Sequence, residues 1–137
     1  MKPEEGQSVP VVTQLSVMVE NKRGALAEIC TKLAEKAVNI SGMMAPDQPG
    51  LAPVRLVVNH LDTAKKVFDQ LGLRYTEEQV FNVRVSDKPG ALGKITRKLA
   101  DSGVDIRFAY ATILKGAGDA NIVVGVSDVE AASKVVK

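Results

Sequence analysis

Two stretches decide the fold: Val19-Glu20-Asn21-Lys22-Arg23-Gly24-Ala25-Leu26 and Val85-Ser86-Asp87-Lys88-Pro89-Gly90-Ala91-Leu92. Their Gly-Ala-Leu segments lie 66 positions apart (90 − 24), and Lys22 and Lys88 share that offset. Held there without a gap, Ile29, Lys32-Leu33-Ala34, Val38 and Ile40 recur as Ile95, Lys98-Leu99-Ala100, Val104 and Ile106. Farther on, Val57-Val58 and Asp62 fall on Val123-Val124 and Asp128. So many coincidences without an insertion imply an internal duplication, and a duplication organises everything else in the chain.

Outward from each Gly-Ala-Leu, the hydrophobic period changes. Before it, Leu15, Val17 and Val19 alternate with Ser16, Met18 and Glu20, and Phe81, Val83 and Val85 repeat the alternation, the pattern of a half-buried strand. After it, Leu26, Ile29, Cys30, Leu33 and Ala37 make a helical stripe, with Leu92, Ile95, Thr96, Leu99 and Gly103 as its twin. Lys32, Glu35 and Lys36 fall on the wet side. Asn21 and Asp87 stand where a helix cap is favoured, and Pro89 suits a first turn.

Val38–Met44 then reads as a second strand, Pro46–Gly50 as a turn and Val54–Asn59 as a third strand. Asp62 is expected to cap a second helix reaching Leu71, closed by Gly72. Arg74–Gln79 reads as a fourth strand that runs almost directly into the next copy. Each copy is therefore β-α-β-β-α-β, an α+β arrangement with an antiparallel sheet and both helices on one face. The expected modules are 13–79 and 80–137. The residue matching Lys137 in the first copy is Leu71 (137 − 66), so the second module lacks a full last strand. Either its edge is open, a liability for aggregation, or a segment such as Gln7–Thr13 fills it.

Composition narrows the function. The chain has 137 residues, 45% hydrophobic and 25% charged, the balance of a globular protein. Two modules of about 65 residues would be marginal alone and should pack on each other or on a partner. A net charge of +2 gives no case for nucleic acid or an anionic membrane. One cysteine excludes an internal disulfide, and no metal-ligand spacing emerges. There is no apolar run long enough to span a bilayer and no secretory leader, so a cytoplasmic protein is expected.

The same residues carry a family resemblance. Val19–Leu26 with Val38-Asn39-Ile40, and Val85–Leu92 with Val104-Asp105-Ile106, resemble the ACT domain over nearly the whole chain from Gln14. The resemblance implies tandem ferredoxin-like modules, side-by-side dimerisation, and amino-acid binding by the strand-to-helix loop at an interface. In the serine-sensing ACT module of phosphoglycerate dehydrogenases, one Asn lies in this loop and another begins the second strand. Asn21 and Asn39 match those positions, and Asp87 and Asp105 replace them in the second copy. Val19 stands where that module has histidine, a departure from the serine-sensing pattern.

The loop chemistry points the same way. A helix N-terminus offers unpaired N–H groups and partial positive charge to a carboxylate. Gly24 and Gly90 would let a ligand approach the backbone, although a tight turn calls for glycine in any case. Asn21 and Asp87 are either acceptors for an ammonium group or simple caps. Asn39 and Asp105 are either ligand contacts or polar residues of a helix-to-strand turn. The ligand-binding set expected from sequence is Asn21, Arg23, Gly24, Ala25, Leu26 and Asn39, with Asp87, Pro89, Gly90, Ala91, Leu92 and Asp105 in the second copy.

No catalytic residues, metal or cofactor are expected. Cys30 sits on the apolar stripe, and His60 has no recognisable triad or ligand partner. Gly116-Ala117-Gly118 lacks the context of a phosphate loop. The Lys94-Arg97-Lys98 cluster reads as a solvated face offset by Asp101. The expected protein is a two-module regulatory sensor of an amino acid, a homodimer acting on a metabolic enzyme in trans. The competing reading is a regulatory small subunit with no ligand of its own. An RNA-binding module has only the alternation of Phe108 and Tyr110 in its favour.

Overall fold

A computed structural model describes residues 11–86, 88–113 and 118–135, the side chains of Thr112 and Ile113 excepted. The elements are β1 (Val11–Glu20), α1 (Ala25–Glu35), β2 (Ile40–Met44), β3 (Leu51–Val58), α2 (Leu61–Gln70), β4 (Tyr75–Ser86), α3 (Ala91–Asp101), β5 (Ile106–Ile113), β6 (Asp119–Val126) and α4 (Val129–Val135). The chain divides into one compact unit of Thr13–Glu78 and another of Met1–Val12 with Gln79–Lys137. Gln79–Ser86 is thus the opening strand of the second unit, drawn from the same strand that closes the first. The two strands expected on either side of residue 80 are one.

In the first unit the strand order is β2-β3-β1-β4. Leu15, Val17 and Val19 face the same side as their antiparallel partners Leu56, Val54 and Ala52. Ile29 and Leu33 of α1, with Ala64, Val67 and Phe68 of α2, pack onto Leu15, Val17, Val54 and Leu56, so both helices cover one face. Alternation along the strands and the 3.6 period along the helices place this core without further help. The second unit repeats it in the order β4-β6-β5, with Leu99 and Ala132 packed on Phe81, Val83, Ile122 and Val124.

Strand register corrects the duplication. The pair Leu15↔Leu56 has Phe81↔Val124 as its counterpart. The offset is 66 on the first strand (81 − 15) but 68 on the third (124 − 56). The helices agree: α2 begins at Leu61 and α4 at Val129, and Ala64 and Ala132 are both fully buried. Two extra residues therefore lie between Tyr110 and Ala120, and the matches of Val57-Val58 and Asp62 at 66 are coincidences. Side chains alternate with period 2, so an error of two keeps apolar residues on apolar positions and leaves no trace in the pattern.

Among the described residues the second unit has no last strand of its own. In the first unit β1 and β4 run antiparallel, with Met18 N–H donating to the Arg74 carbonyl at 2.8 Å. The side chain of Gln14 reaches Glu78 in the same register. Carried two residues on, that register sets Val12 opposite Val80, both within the second unit. The start of β1 thus lies where the missing strand would be. Gln7–Pro10 of the expected filler are outside the described residues, as are Gly116 and Ala117 of the hairpin tip.

The end of α1 and the start of α2 differ from expectation. Ala37 is not on the apolar stripe: it is exposed, at φ +60, as the left-handed residue that stops α1. Its twin Gly103 holds φ +76, where glycine carries no Cβ penalty. Ala37→Gly is accordingly expected to stabilise the first unit by about 0.5–1 kcal/mol, strain relief outweighing the added chain entropy. Urea denaturation checks this, and a destabilised variant would contradict it. At α2 the cap position is His60, with no side-chain bond, and Asp62 stands inside the first turn. There its carboxylate favours the helix dipole.

Candidate functional site

The two strand-to-helix turns are built alike. In the first, Lys22 N–H donates to the Glu20 carbonyl at 2.9 Å and Ala25 N–H to the Lys22 carbonyl at 3.2 Å. In the second, Lys88 and Ala91 make the same bonds to Ser86 and Lys88 at 3.0 and 3.3 Å. Gly24 and Gly90 occupy the N-cap positions of α1 and α3 at φ +86 and +90, and neither helix has a side-chain cap. The left-handed backbone is the structural reason for both glycines. A Cβ at either would meet nothing within 4 Å, so the turns are also open to solvent-borne ligands.

Asn21 is not a cap. Its amide donates to the Gln48 carbonyl at 2.9 Å, and its backbone N–H to the Gly50 carbonyl at 2.9 Å. It ties the turn to the β2–β3 connection, and Gln48 in turn donates to the Leu51 carbonyl. Asn39 and Asp105 lie elsewhere, in the helix-to-strand turns. Asn39 N–H is received by the Asn59 side chain at 2.8 Å, and Asp105 N–H by the Ser127 hydroxyl at 3.1 Å. Asp87 is outside the described residues.

A cleft of about 460 Å³ opens beside the first turn. Glu20, Lys22 and Glu28 supply its charges, and Met18, Ile29, Leu51 and Leu73 are among its apolar walls. A smaller hollow of about 80 Å³ lies against Asn21, Ala25 and Leu26, with Ala45 and Pro46 opposite. The second turn has its own cleft of about 320 Å³, with Ser86, Lys88, Lys94 and Lys98 over Val85, Ala91 and Ile95. Volumes of 300–1,000 Å³ are those of small-molecule sites.

Of the residues expected from sequence, Asn21, Ala25, Leu26 and Ala91 line these hollows. Arg23, Gly24, Pro89, Gly90 and Leu92 do not, although each stands within two positions of a lining residue. The set expected from sequence omits Glu20, Lys22, Glu28 and Leu73, and also Ser86, Lys88, Lys94 and Lys98, the last two of which read from sequence as a solvated helix face. The signal was available in part: Glu28 and Lys94 sit one helical turn beyond the glycines, on the side that faces back over the turn. Leu73 could be found only from the tertiary fold.

Electrostatics at the clefts are those of exposed charges. Lys22 and Glu20 pair at 3.3 Å with side chains 67% and 63% exposed, a contact worth about 0–1 kcal/mol. Two groups with displaced titration lie at the α2–β4 contact. Tyr75 is raised by burial and by its bond to Asp69, and Lys65 by its bond to Glu77. Among the described residues no group of three His, Cys, Asp or Glu side chains could hold a metal ion. No described helix is long and apolar enough to cross a membrane. Phe108 is packed over Gly125, so its ring is engaged within the sheet and not presented for base stacking.

Comparison with known proteins follows the same lines. A family model for the ACT domain pair matches residues 10–136, and the chain belongs to that family. It is similar to the crystal structure of protein BT0572 from Bacteroides thetaiotaomicron, with a TM-score of 0.86 and 27% identity over 95% of this chain and 89% of that one. It shares its fold with the ligand-free regulatory subunit of aspartate kinase from Thermus thermophilus, with a TM-score of 0.69 and 15% identity over 95% of this chain and 97% of that one. Aspartate kinase from Clostridium acetobutylicum is similar over 99% of this chain and 35% of that chain, with a TM-score of 0.62 and 15% identity. No curated protein matches.

Proposed function

We propose that the chain is a regulatory sensor that binds a small zwitterion, an amino acid or a close analogue, in the cleft beside Gly24. The observation that carries this is the charge set around a cleft of about 460 Å³: Lys22 for a carboxylate, Glu20 and Glu28 for an ammonium group, and apolar walls for a side chain. The uncapped start of α1 adds backbone N–H groups to the carboxylate side. Because the Glu20–Lys22 pair is exposed and weak, a ligand can replace it at little cost. Asn21 holds the turn to the β2–β3 connection and so fixes the mouth of the site. Self-association into a dimer and regulation in trans of an enzyme on another chain complete the reading.

A thermal-denaturation screen of the twenty common amino acids tests it. A true ligand at about 100 times its dissociation constant adds roughly 2.7 kcal/mol to the native state. Lys22→Glu, which turns the carboxylate partner repulsive, is expected to weaken that ligand at least tenfold, about 1.4 kcal/mol. Indifference to every amino acid would instead favour a regulatory subunit that binds no ligand.

A further inference from the structure

The two clefts are built from equivalent positions and carry opposite charge. Val19, Glu20, Lys22, Ala25, Glu28 and Ile29 of the first become Val85, Ser86, Lys88, Ala91, Lys94 and Ile95 of the second, all at an offset of 66. The backbone turn and the apolar residues are kept, while both carboxylates are gone. The first cleft is lined by two carboxylates and one ammonium, the second by three ammonium groups and no described carboxylate.

The described acids nearby do not compensate. Asp101 is engaged by Arg97 at 3.2 Å and Asp119 by Arg84 at 3.0 Å. Among the described residues no ion pair is made by Lys88, Lys94 or Lys98. Three like charges around one hollow repel one another, and a concave wall concentrates their field. A compact ligand with two negative charges relieves that repulsion, and the Ser86 hydroxyl offers it a neutral donor. Val85, Ala91 and Ile95 form an apolar strip suited to a short carbon spacer. A zwitterion, by contrast, finds no described carboxylate there to pair with its ammonium group.

We infer that the second cleft is a separate site for a small dianion, a dicarboxylate or a phosphate-bearing molecule, held by Lys88, Lys94 and Lys98. The inference rests on reading both clefts as ligand sites. It makes the chain a sensor of two chemically different ligands, one for each unit.

Calorimetric titration of the full chain with succinate and with inorganic phosphate at 50 mM salt tests it. Binding of at least one is expected, falling severalfold at 300 mM salt. Lys94→Glu, which supplies the charge of Glu28, should weaken it at least tenfold. Lys66→Glu makes the same charge change on exposed α2 and should leave it within about twofold. Both positions are exposed, and unchanged circular dichroism shows that the variants fold. Succinate without phosphate identifies a dicarboxylate, and phosphate without succinate a phosphate-bearing ligand. Binding of neither, or equal weakening by Lys66→Glu, overturns the inference. If an amino acid still stabilises the chain in that case, the first site stands alone. If the dianion binds and no amino acid does, the zwitterion reading falls and this one remains.

Discussion

Phe68→Ala is expected to remove about 3–5 kcal/mol of folding stability, the range for truncating a buried aromatic side chain. Phe68 is fully buried on α2, among Leu15, Leu33, Leu56 and Val67 in the core of the first unit. Its ring lies 5.7 Å from that of Tyr75 at the start of β4, a tilted arrangement that adds to simple burial. Its carbonyl also receives the Leu73 N–H at 3.0 Å, and Leu73 forms part of the first cleft's wall. The loss should therefore show twice, as a lower urea midpoint and as weaker ligand binding. A cost under about 1 kcal/mol would mean that α2 does not hold the core as described.

Glu78→Ala is expected to cost about 2 kcal/mol through a different mechanism. Gln14 is fully buried and donates its amide to the Glu78 carboxylate at 2.9 Å. Arg55 approaches the same oxygen at 3.4 Å, with side chains 16% and 19% exposed. Together they join β1, β3 and β4 on the face away from the helices. Removing the acceptor costs the desolvation of its donors, about 1–3 kcal/mol for a buried neutral group and more for a charged one. Partial exposure keeps the figure well below that of a fully buried pair. Glu78→Gln retains an acceptor oxygen and should cost less than half as much. Equal losses for Ala and Gln would show that charge, not hydrogen bonding, dominates.

Much of this architecture is legible in local chemistry. Gly-Ala-Leu fixes both helix starts, because glycine is the residue that suits φ near +90 at an uncapped N-terminus. Gly72 at φ +70 closes α2 as expected. Ala37 escaped because an alanine at the end of an apolar stripe looks like its continuation; only its glycine twin, Gly103, betrays the left-handed stop. The continuous β4 escaped because nothing between Gln79 and Phe81 separates two paired strands from one long one. The two-residue insertion was masked by strand periodicity.

The site was legible only at its hinge. The sequence locates the turns, but the cleft walls come from β3 through Leu51, from the approach to β4 through Leu73, and from the second helical turn through Glu28 and Lys94. Asn21 illustrates the limit. Asparagine before a helix is a good cap in general, yet here the β2–β3 connection supplies a carbonyl that competes for its amide.

The central claim is that the cleft beside Gly24 binds an amino acid while its twin beside Gly90 does not. Amide chemical-shift mapping of the full chain, titrated with the amino acid that stabilises it most, tests this directly. The account predicts shifts concentrated at Glu20–Ile29, Leu51 and Leu73, with Ser86–Lys98 little changed. Equal shifts at both turns, or none at either, would contradict it.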